Sequence, residues 1–162
     1  MTPSLAQPNA RFAADTGVAD PLVRRALAAS GDQLGYVRAV VALCTARLLL
    51  PVVASGDETD VFDPGRHAEL GAVTLTRGGV RHLLAFTGLD ALQAFDPSAR
   101  PVPCLLDELA ATVVPAGATR ILVDAAGPSS LVLGEDVVGP LADGHRLVEF
   151  DDGTFAWAST RP

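Results

Sequence analysis

The sequence predicts a single α+β domain in which helices pack on a mixed or antiparallel sheet of about five strands. Three observations lead to this prediction. Residues 47–54 (RLLLPVVA) and 119–125 (TRILVDA) are short apolar runs of the kind that form buried strands. Alternating segments flank Gly78-Gly79, which indicates a β-hairpin. Other segments repeat apolar residues at helical spacing, and 162 residues suffice to bury one core without disulfide or metal support.

Two helices are expected before the first strand. Asp20 and Pro21 are typical of a helix N-cap and first turn, and this helix should reach Ser30, with Gly31 as a left-handed C-terminal cap. Asp32 can cap a second helix. The predicted apolar stripe of that helix consists of Leu34, Val37, Val41 and Cys44.

The elements that follow alternate between strands and helices. Residues 47–54 should form a central strand, with Pro51 at its end or at a bulge. The glycine hairpin leads to a short helix at residues 88–95, a proline-broken loop, and a helix at residues 104–114 that stops by Gly117. The last predicted elements are strands at 119–125 and 130–133 and a helix at 135–141.

The two ends of the chain lie outside this predicted domain, which spans residues 20–145. Residues 1–19 show no periodic pattern and are expected to be a flexible N-terminal arm. Residues 146–162 form either a hairpin around Asp151-Asp152-Gly153 or a tail, and the sequence leaves both alternatives open.

Charge and composition exclude several classes of function. All 12 basic residues are arginines, and with 19 acidic residues they give a net charge of −7, which disfavours binding to nucleic acid. Without lysine the chain has neither a Schiff-base lysine nor a P-loop lysine. The most apolar region, residues 37–54, contains Arg38, Arg47 and Pro51, so no contact with a membrane is expected.

The cysteines and the first residues indicate a cytoplasmic protein. Cys44 and Cys104 lie far apart in apolar runs without a CxxC pattern, as expected for buried, reduced thiols. The first twenty residues lack the basic start and the apolar stretch of a signal peptide.

The polar residues match no catalytic or cofactor-binding motif. His67 follows an acidic loop whose spacing differs from that of a calcium loop. His82 shares a strand face with apolar residues and should be partly buried and hydrogen-bonded, whereas His145 is expected on the surface. Ser129-Ser130 lack the GxSxG pattern of a nucleophile elbow. We therefore expect no catalytic residue, no metal and no cofactor.

The order of the segments resembles that of a known family. The motifs that support the resemblance are Phe86-Thr87 followed by a helix with Leu89 and Leu92, and Val123-Asp124 followed by Gly127-Pro128. Over residues 20–142 the chain resembles the N-terminal domain of the SseB family, the enhanced-serine-sensitivity proteins of bacteria. The resemblance implies a bacterial cytoplasmic α+β domain whose biochemical activity is undefined, and it carries over no catalytic residue.

The first functional hypothesis is a non-enzymatic interaction or regulatory module that binds a protein partner or a second copy of itself. Its surface should lie where a strand ends and a helix begins, because apolar side chains can stand there beside free backbone N–H groups. The candidate residues are Phe86, Thr87, Gly88, Leu89 and Asp90. Alternatively, Phe86 and Leu89 only close the core.

The second hypothesis is a binding protein or weak enzyme for an amino-acid-like small molecule, as the serine phenotype implied by the resemblance suggests. Arg77 and Arg81 flank the Gly78-Gly79 turn, and two guanidinium groups near one turn could hold a carboxylate. Solvated arginines at the end of a hairpin are the simpler alternative.

Overall fold

A computed structural model describes residues 10–53 and 71–162. Within these residues the chain forms one α+β domain, which confirms the predicted fold class. A short 3-10 turn, Ala10–Phe12, comes first. The helices are α1 (Pro21–Ala28), α2 (Gln33–Cys44), α3 (Leu89–Phe95), α4 (Leu106–Val113) and α5 (Glu135–Ala142). The strands are β1 (Leu48–Val52), β2 (Thr74–Arg77), β3 (Val80–Ala85), β4 (Arg100–Cys104), β5 (Arg120–Val123), β6 (Leu131–Leu133), β7 (His145–Glu149) and β8 (Phe155–Ser159).

The described strands pair in three small sheets, whereas the sequence predicts one sheet of about five strands. The largest has the order β2-β3-β5-β6, in which β3 and β5 run parallel and the other neighbours run antiparallel. β1 pairs with β4 and joins the end of β3 through two backbone hydrogen bonds between Leu49 and Phe86. β7 and β8 form a separate antiparallel hairpin. The parallel strands β3 and β5 therefore end side by side at one edge of the sheet.

Both N-terminal helices begin at the predicted caps. The side chains of Asp20 and Asp32 each accept a hydrogen bond from a backbone N–H in the first turn of their helix. The predicted left-handed cap at Gly31 is wrong. Helix α1 already ends at Ala29, whose N–H bonds back to the last turn, and Gly31 does not have a positive φ angle.

The buried face of α2 is rotated away from the predicted stripe. Leu34 is exposed, and Val37 and Val41 are only half-buried. The fully buried residues of this helix are Ala39, Val40, Leu43 and Cys44. Strand β7 packs along α2, and Arg38 of the helix pairs with Glu149 at the end of that strand. This partner comes from more than a hundred positions further along the chain, so the local pattern did not reveal it.

Strand β4 occupies a segment that the sequence predicts to be a proline-broken loop. The backbone groups of Leu49 and Pro51 form hydrogen bonds on the side of β1 that faces β3. The backbone groups of Leu48, Leu50 and Val52 point the other way and bond to β4. This register places the nitrogens of Pro101 and Pro103 on the outer edge of β4, where a missing N–H costs no ladder hydrogen bond. Helix α4 consequently begins two residues later than predicted.

The core has two parts, one on each face of the sheet. The larger part contains side chains of α1, α2, α4 and α5, and the smaller part contains side chains of α3. Residues at the end of β3, and Phe86 directly after it, alternate between the two parts: Leu83 and Ala85 belong to the larger, Leu84 and Phe86 to the smaller. The edge at which β3 and β5 end is therefore packed from both sides.

The remaining elements lie close to their predicted positions. Gly78 and Gly79 have φ angles of 57° and 77°, as a tight hairpin turn requires, and Gly117 has a φ of 70° after α4. Of the two alternatives for the C-terminal residues, the structure contains the hairpin, with Gly153 in its turn at a φ of 81°. No helix in residues 10–53 or 71–162 combines the length and the apolar character needed to cross a membrane.

Candidate functional site

Polar side chains from four parts of the chain meet at the edge where β3 and β5 end. Thr87 follows β3, Asp124 follows β5, Asp90 lies in the first turn of α3, and Arg24 comes from α1. We call these four residues the corner cluster. Because β3 and β5 are parallel, the residues that follow them emerge next to each other, which is the usual place for a functional site in parallel sheets.

Asp124 is the buried acid of the corner cluster. One carboxylate oxygen accepts the backbone N–H of Thr87 at 2.8 Å, and the other accepts the Thr87 hydroxyl at 2.7 Å. Asp124 is 3% exposed and Thr87 is 2% exposed. Burial raises the pKa of Asp124, and the hydrogen bonds from Thr87 oppose that rise. Asp124 also has a φ angle of 51°, a left-handed conformation that an aspartate tolerates better than most residues.

Arg24 connects the buried acid to the surface. Its Nε donates to the Thr87 hydroxyl at 3.1 Å, and its two terminal nitrogens bind the two oxygens of Asp90, each at 2.6 Å. The hydrogen bond with Asp90 raises the pKa of Arg24, and the same bond lowers the pKa of Asp90. The hydroxyl of Thr87 therefore accepts from a cation on one side and donates to a carboxylate on the other.

A second arginine holds the N-terminal segment against this corner. Arg47 donates to the backbone carbonyls of Thr87 at 3.0 Å and Val18 at 2.6 Å, and its Nε lies 2.8 Å from the Asp15 carboxylate. The N–H of Leu89 donates to the carbonyl of Gly17 at 2.7 Å. The sequence predicts a flexible arm over residues 1–19, and the part that the structure describes, residues 10–19, lies against the domain through these contacts.

An open groove of about 770 Å³ runs between this segment and helices α1 and α3. Its walls include Val18, Pro21, Arg25, Leu89 and Gln93. Val18 is 74% exposed, and Leu89 is half-buried. The groove therefore combines apolar side chains with the charged edge of the corner cluster.

The exposure that the sequence predicts for Phe86, Thr87 and Gly88 is wrong, because all three residues are buried. Phe86 packs in the smaller core against Phe95, with the two ring centroids 5.6 Å apart. The N–H groups of Phe86, Thr87 and Leu89 have partners within the chain. Of the predicted surface, only Leu89 and Asp90 reach the groove, so Phe86 closes the core as the alternative proposed.

The structure does not bring Arg77 and Arg81 together. In the hairpin register Arg81 lies opposite Thr76, and Arg77 lies opposite Val80. Neighbouring positions on a strand project to opposite faces, so the two guanidinium groups leave the hairpin on different sides. Arg81 extends over Gly117, which lies between α4 and β5.

The other polar residues singled out in the sequence do not form a reactive site among the described residues. His82 is more deeply buried than predicted, at 4% exposure, and its Nδ1 lies 3.1 Å from the carbonyl of Val80. His145 is half-buried rather than on the surface, and its Nδ1 lies 3.3 Å from the carbonyl of Pro140. Within residues 10–53 and 71–162 no three His, Cys, Asp or Glu side chains are placed to bind a metal ion. His67 and its acidic loop lie outside the described residues.

Both cysteines are buried and free, as the sequence predicts. The thiol of Cys104 faces the carbonyl of Leu48, and burial raises its pKa to about 12. Burial also raises the pKa of Cys44. Thiols that stay protonated at neutral pH are poor nucleophiles, so neither residue has the properties of a reactive cysteine.

Comparison with known proteins identifies the family. The model of the SseB protein N-terminal domain matches residues 23–139. The chain belongs to the SseB family. All four residues of the corner cluster lie within the matched part of this SseB chain, whereas the hairpin of β7 and β8 lies outside it. The chain has no match among curated proteins and none among solved structures.

The sequence motifs do not reveal most of the polar residues that this SseB domain gathers at the corner. Arg24, Arg47 and Asp15 belong to no recognisable site motif, and Asp124 belongs only to a motif that supports the resemblance. One usable signal was present: Asp124 directly follows a buried strand, a position where an acid is close to the carboxyl edge of a sheet.

Proposed function

We propose that this SseB-family domain is a non-enzymatic interaction or regulatory module that binds a protein partner. The observation that supports this most is that the polar groups of the corner cluster are paired with each other. Both carboxylate oxygens of Asp124 accept hydrogen bonds from Thr87. Each of the three guanidinium nitrogens of Arg24 donates to Thr87 or Asp90. A catalytic acid or base needs a position from which it reaches the substrate, and a buried, doubly bonded Asp124 lacks one.

The groove beside the N-terminal segment is the binding face that we propose. Its exposed residue Val18 and the half-buried Leu89 line the groove together with the charged pair of Arg24 and Asp90. Interfaces of proteins commonly combine an apolar centre with a polar rim. A partner that covered Val18 and Leu89 would remove apolar surface from water, and the rim charges would set its orientation.

The N-terminal segment gives this face a means of regulation. The carbonyls of Gly17 and Val18 and the carboxylate of Asp15 bind the domain through Leu89 and Arg47. These contacts are polar and lie outside the two parts of the core, and a segment held in this way opens more easily than the packed core. A partner that prefers either the bound or the released segment would shift the equilibrium between the two.

The test is co-purification from the source organism with two matched valine variants. Val18→Glu places a charge in the groove, and Val114→Glu places one at a valine of similar exposure, 79% against 74%, after α4. Val114 is a suitable control because it precedes β5, whereas the groove lies near the opposite end of that strand. We expect a protein that co-purifies with the wild type and with Val114→Glu but not with Val18→Glu.

Two outcomes would contradict the proposal. The first is capture of the same proteins by all three forms, or of none by any form, because the groove then binds no partner. The second is consumption of a metabolite when the purified chain is incubated with a small-molecule extract of the same cells, because the domain would then be an enzyme.

A further inference from the structure

The outer edge of β8 is not paired by any strand in residues 10–53 or 71–162. Register and hydrogen bonds show which groups face outward: Phe150 bonds to Thr154 and Thr160 bonds to Gly144, so the residues of β8 with even numbers bond to β7. The backbone groups of residues 155, 157 and 159 therefore point away from the hairpin. No other strand in the described part of the chain pairs with β8.

The outer edge of β4, by contrast, contains prolines, which are a common protection against pairing with another strand. Pro101 and Pro103 lie on the outer edge of β4 and cannot donate to an added strand. Strand β8 has the sequence FAWAS, with no proline and no charge, and its centre is Trp157, which is 36% exposed. A strand edge with these properties favours pairing with another strand.

We propose that β8 pairs with β8 of a second copy of this chain, antiparallel and centred on Trp157. In this register Trp157 faces Trp157 of the other copy, and Phe155 faces Ser159 twice. Among the registers that join outward-facing residues, this one uses all three outward residues of β8 and forms six backbone hydrogen bonds. The two hairpins become one four-stranded sheet, and a two-fold interface of this kind is complete in itself.

Charges at the two ends of the hairpin fit this register. Antiparallel pairing about Trp157 sets Arg161 of one copy opposite Gly153 of the other. Gly153 belongs to the turn that also contains Asp151 and Asp152. The Arg161 side chain lies over Gly144 of its own chain, so this register places a positive charge at the same end of the shared sheet as Asp151 and Asp152 of the other copy. This placement offsets part of the repulsion between two chains of net charge −7.

The proposal goes beyond the proposed function and is independent of it, because the groove and the hairpin are different parts of the surface. The family match ends before β7. Self-association through β8 is therefore a property of this chain's C-terminal hairpin. The Val18→Glu variant that tests the groove should associate with itself as the wild type does.

The test is sedimentation velocity of the full chain over a hundredfold range of concentration, together with tryptophan fluorescence. Trp157 is the one tryptophan of the sequence, so its emission reports on this edge alone. We expect a monomer–dimer equilibrium, with emission that shifts to the red on dilution as Trp157 becomes exposed to water. Trp157→Lys should leave only monomer. Val132→Lys, at the centre of edge strand β6 and 37% exposed, should associate as the wild type does.

A second variant separates loss of pairing from loss of the hairpin. The N–H of Ser159 faces outward, so Ser159→Pro removes one donor from the free edge and none from the β7–β8 ladder. We expect this variant to be folded by circular dichroism and to dissociate at concentrations at least tenfold higher than the wild type. A wild type that is folded and monomeric at every concentration overturns the proposal, and so does a dimer that Trp157→Lys and Ser159→Pro leave intact.

Discussion

Replacing Thr87 with valine removes the hydroxyl that connects the corner cluster while keeping the shape of the side chain. The hydroxyl donates to Asp124 at 2.7 Å and accepts from Arg24 at 3.1 Å. In Thr87→Val the backbone N–H still binds one oxygen of Asp124. The second oxygen then lies buried beside a methyl group and has lost its donor among the described residues.

The size of the effect follows from the burial of the two partners. A hydrogen bond to a charged group contributes about 1.5–3 kcal/mol. The bond to buried Asp124 is lost with nothing to replace it. Water can replace the bond to Arg24, whose side chain is 32% exposed, so that loss adds little. We therefore expect Thr87→Val to lower the free energy of unfolding by about 2–3 kcal/mol at neutral pH.

Thr87→Ser is the matched control, because it keeps the hydroxyl and removes the methyl group. Loss of one buried methyl group costs about 1 kcal/mol. Urea unfolding followed by far-ultraviolet circular dichroism measures both variants. If Thr87→Ser destabilises the protein as much as Thr87→Val does, the hydroxyl contributes nothing and the account of the corner cluster is refuted.

The pH dependence of this difference provides a second check. Burial raises the pKa of Asp124 in the folded chain. At pH values between the ordinary aspartate pKa and this raised pKa, Asp124 is therefore protonated in the folded state and ionised in the unfolded state. The contribution of Asp124 to stability therefore decreases as the pH rises through this range. The hydrogen bond from the Thr87 hydroxyl counteracts the pKa rise, so its removal in Thr87→Val should cost more at pH 7 than at pH 4. A cost that is the same at both pH values would contradict this.

Two further predictions concern the thiols and the second functional hypothesis. With its pKa raised to about 12, Cys104 should react with a thiol reagent at pH 8 only when urea unfolds the chain, and rapid labelling of the native protein would contradict its burial. Because Arg77 and Arg81 leave the hairpin on different faces, serine and related amino acids should not raise the melting temperature in a thermal-shift screen. A rise that either Arg77→Ala or Arg81→Ala abolishes would restore the small-molecule hypothesis.

Local sequence signals predicted the elements whose cause is local. Asp20 and Asp32 cap their helices by bonding to N–H groups two or three positions away. Gly78-Gly79 defines the hairpin because a tight turn needs two positive φ angles in succession. In each case the sequence contains the donor, the acceptor and the conformational requirement within a few residues.

The errors lie where partners distant in sequence determine the outcome. Strand β4 contains two prolines that are unfavourable in a central strand, and it forms because pairing with β1 puts both of them on the outer edge. The buried face of α2 depends on β7, and the burial of Phe86 depends on α3. A pattern of apolar spacing shows that a surface is buried but does not show which element covers it.

The corner cluster is the extreme case of this dependence. Thr87 and Asp124 are 37 positions apart, and Arg24 and Asp90 are 66 apart, so no motif of fixed spacing could describe the cluster. Only the parallel pairing of β3 and β5 brings Thr87 and Asp124 to the same edge. Asp124 is also the one described residue other than glycine with a positive φ angle. Its conformation and its burial are both unfavourable in isolation, and the hydrogen bonds of Thr87 offset them. Thr87 is therefore the residue through which the fold and the candidate site depend on each other.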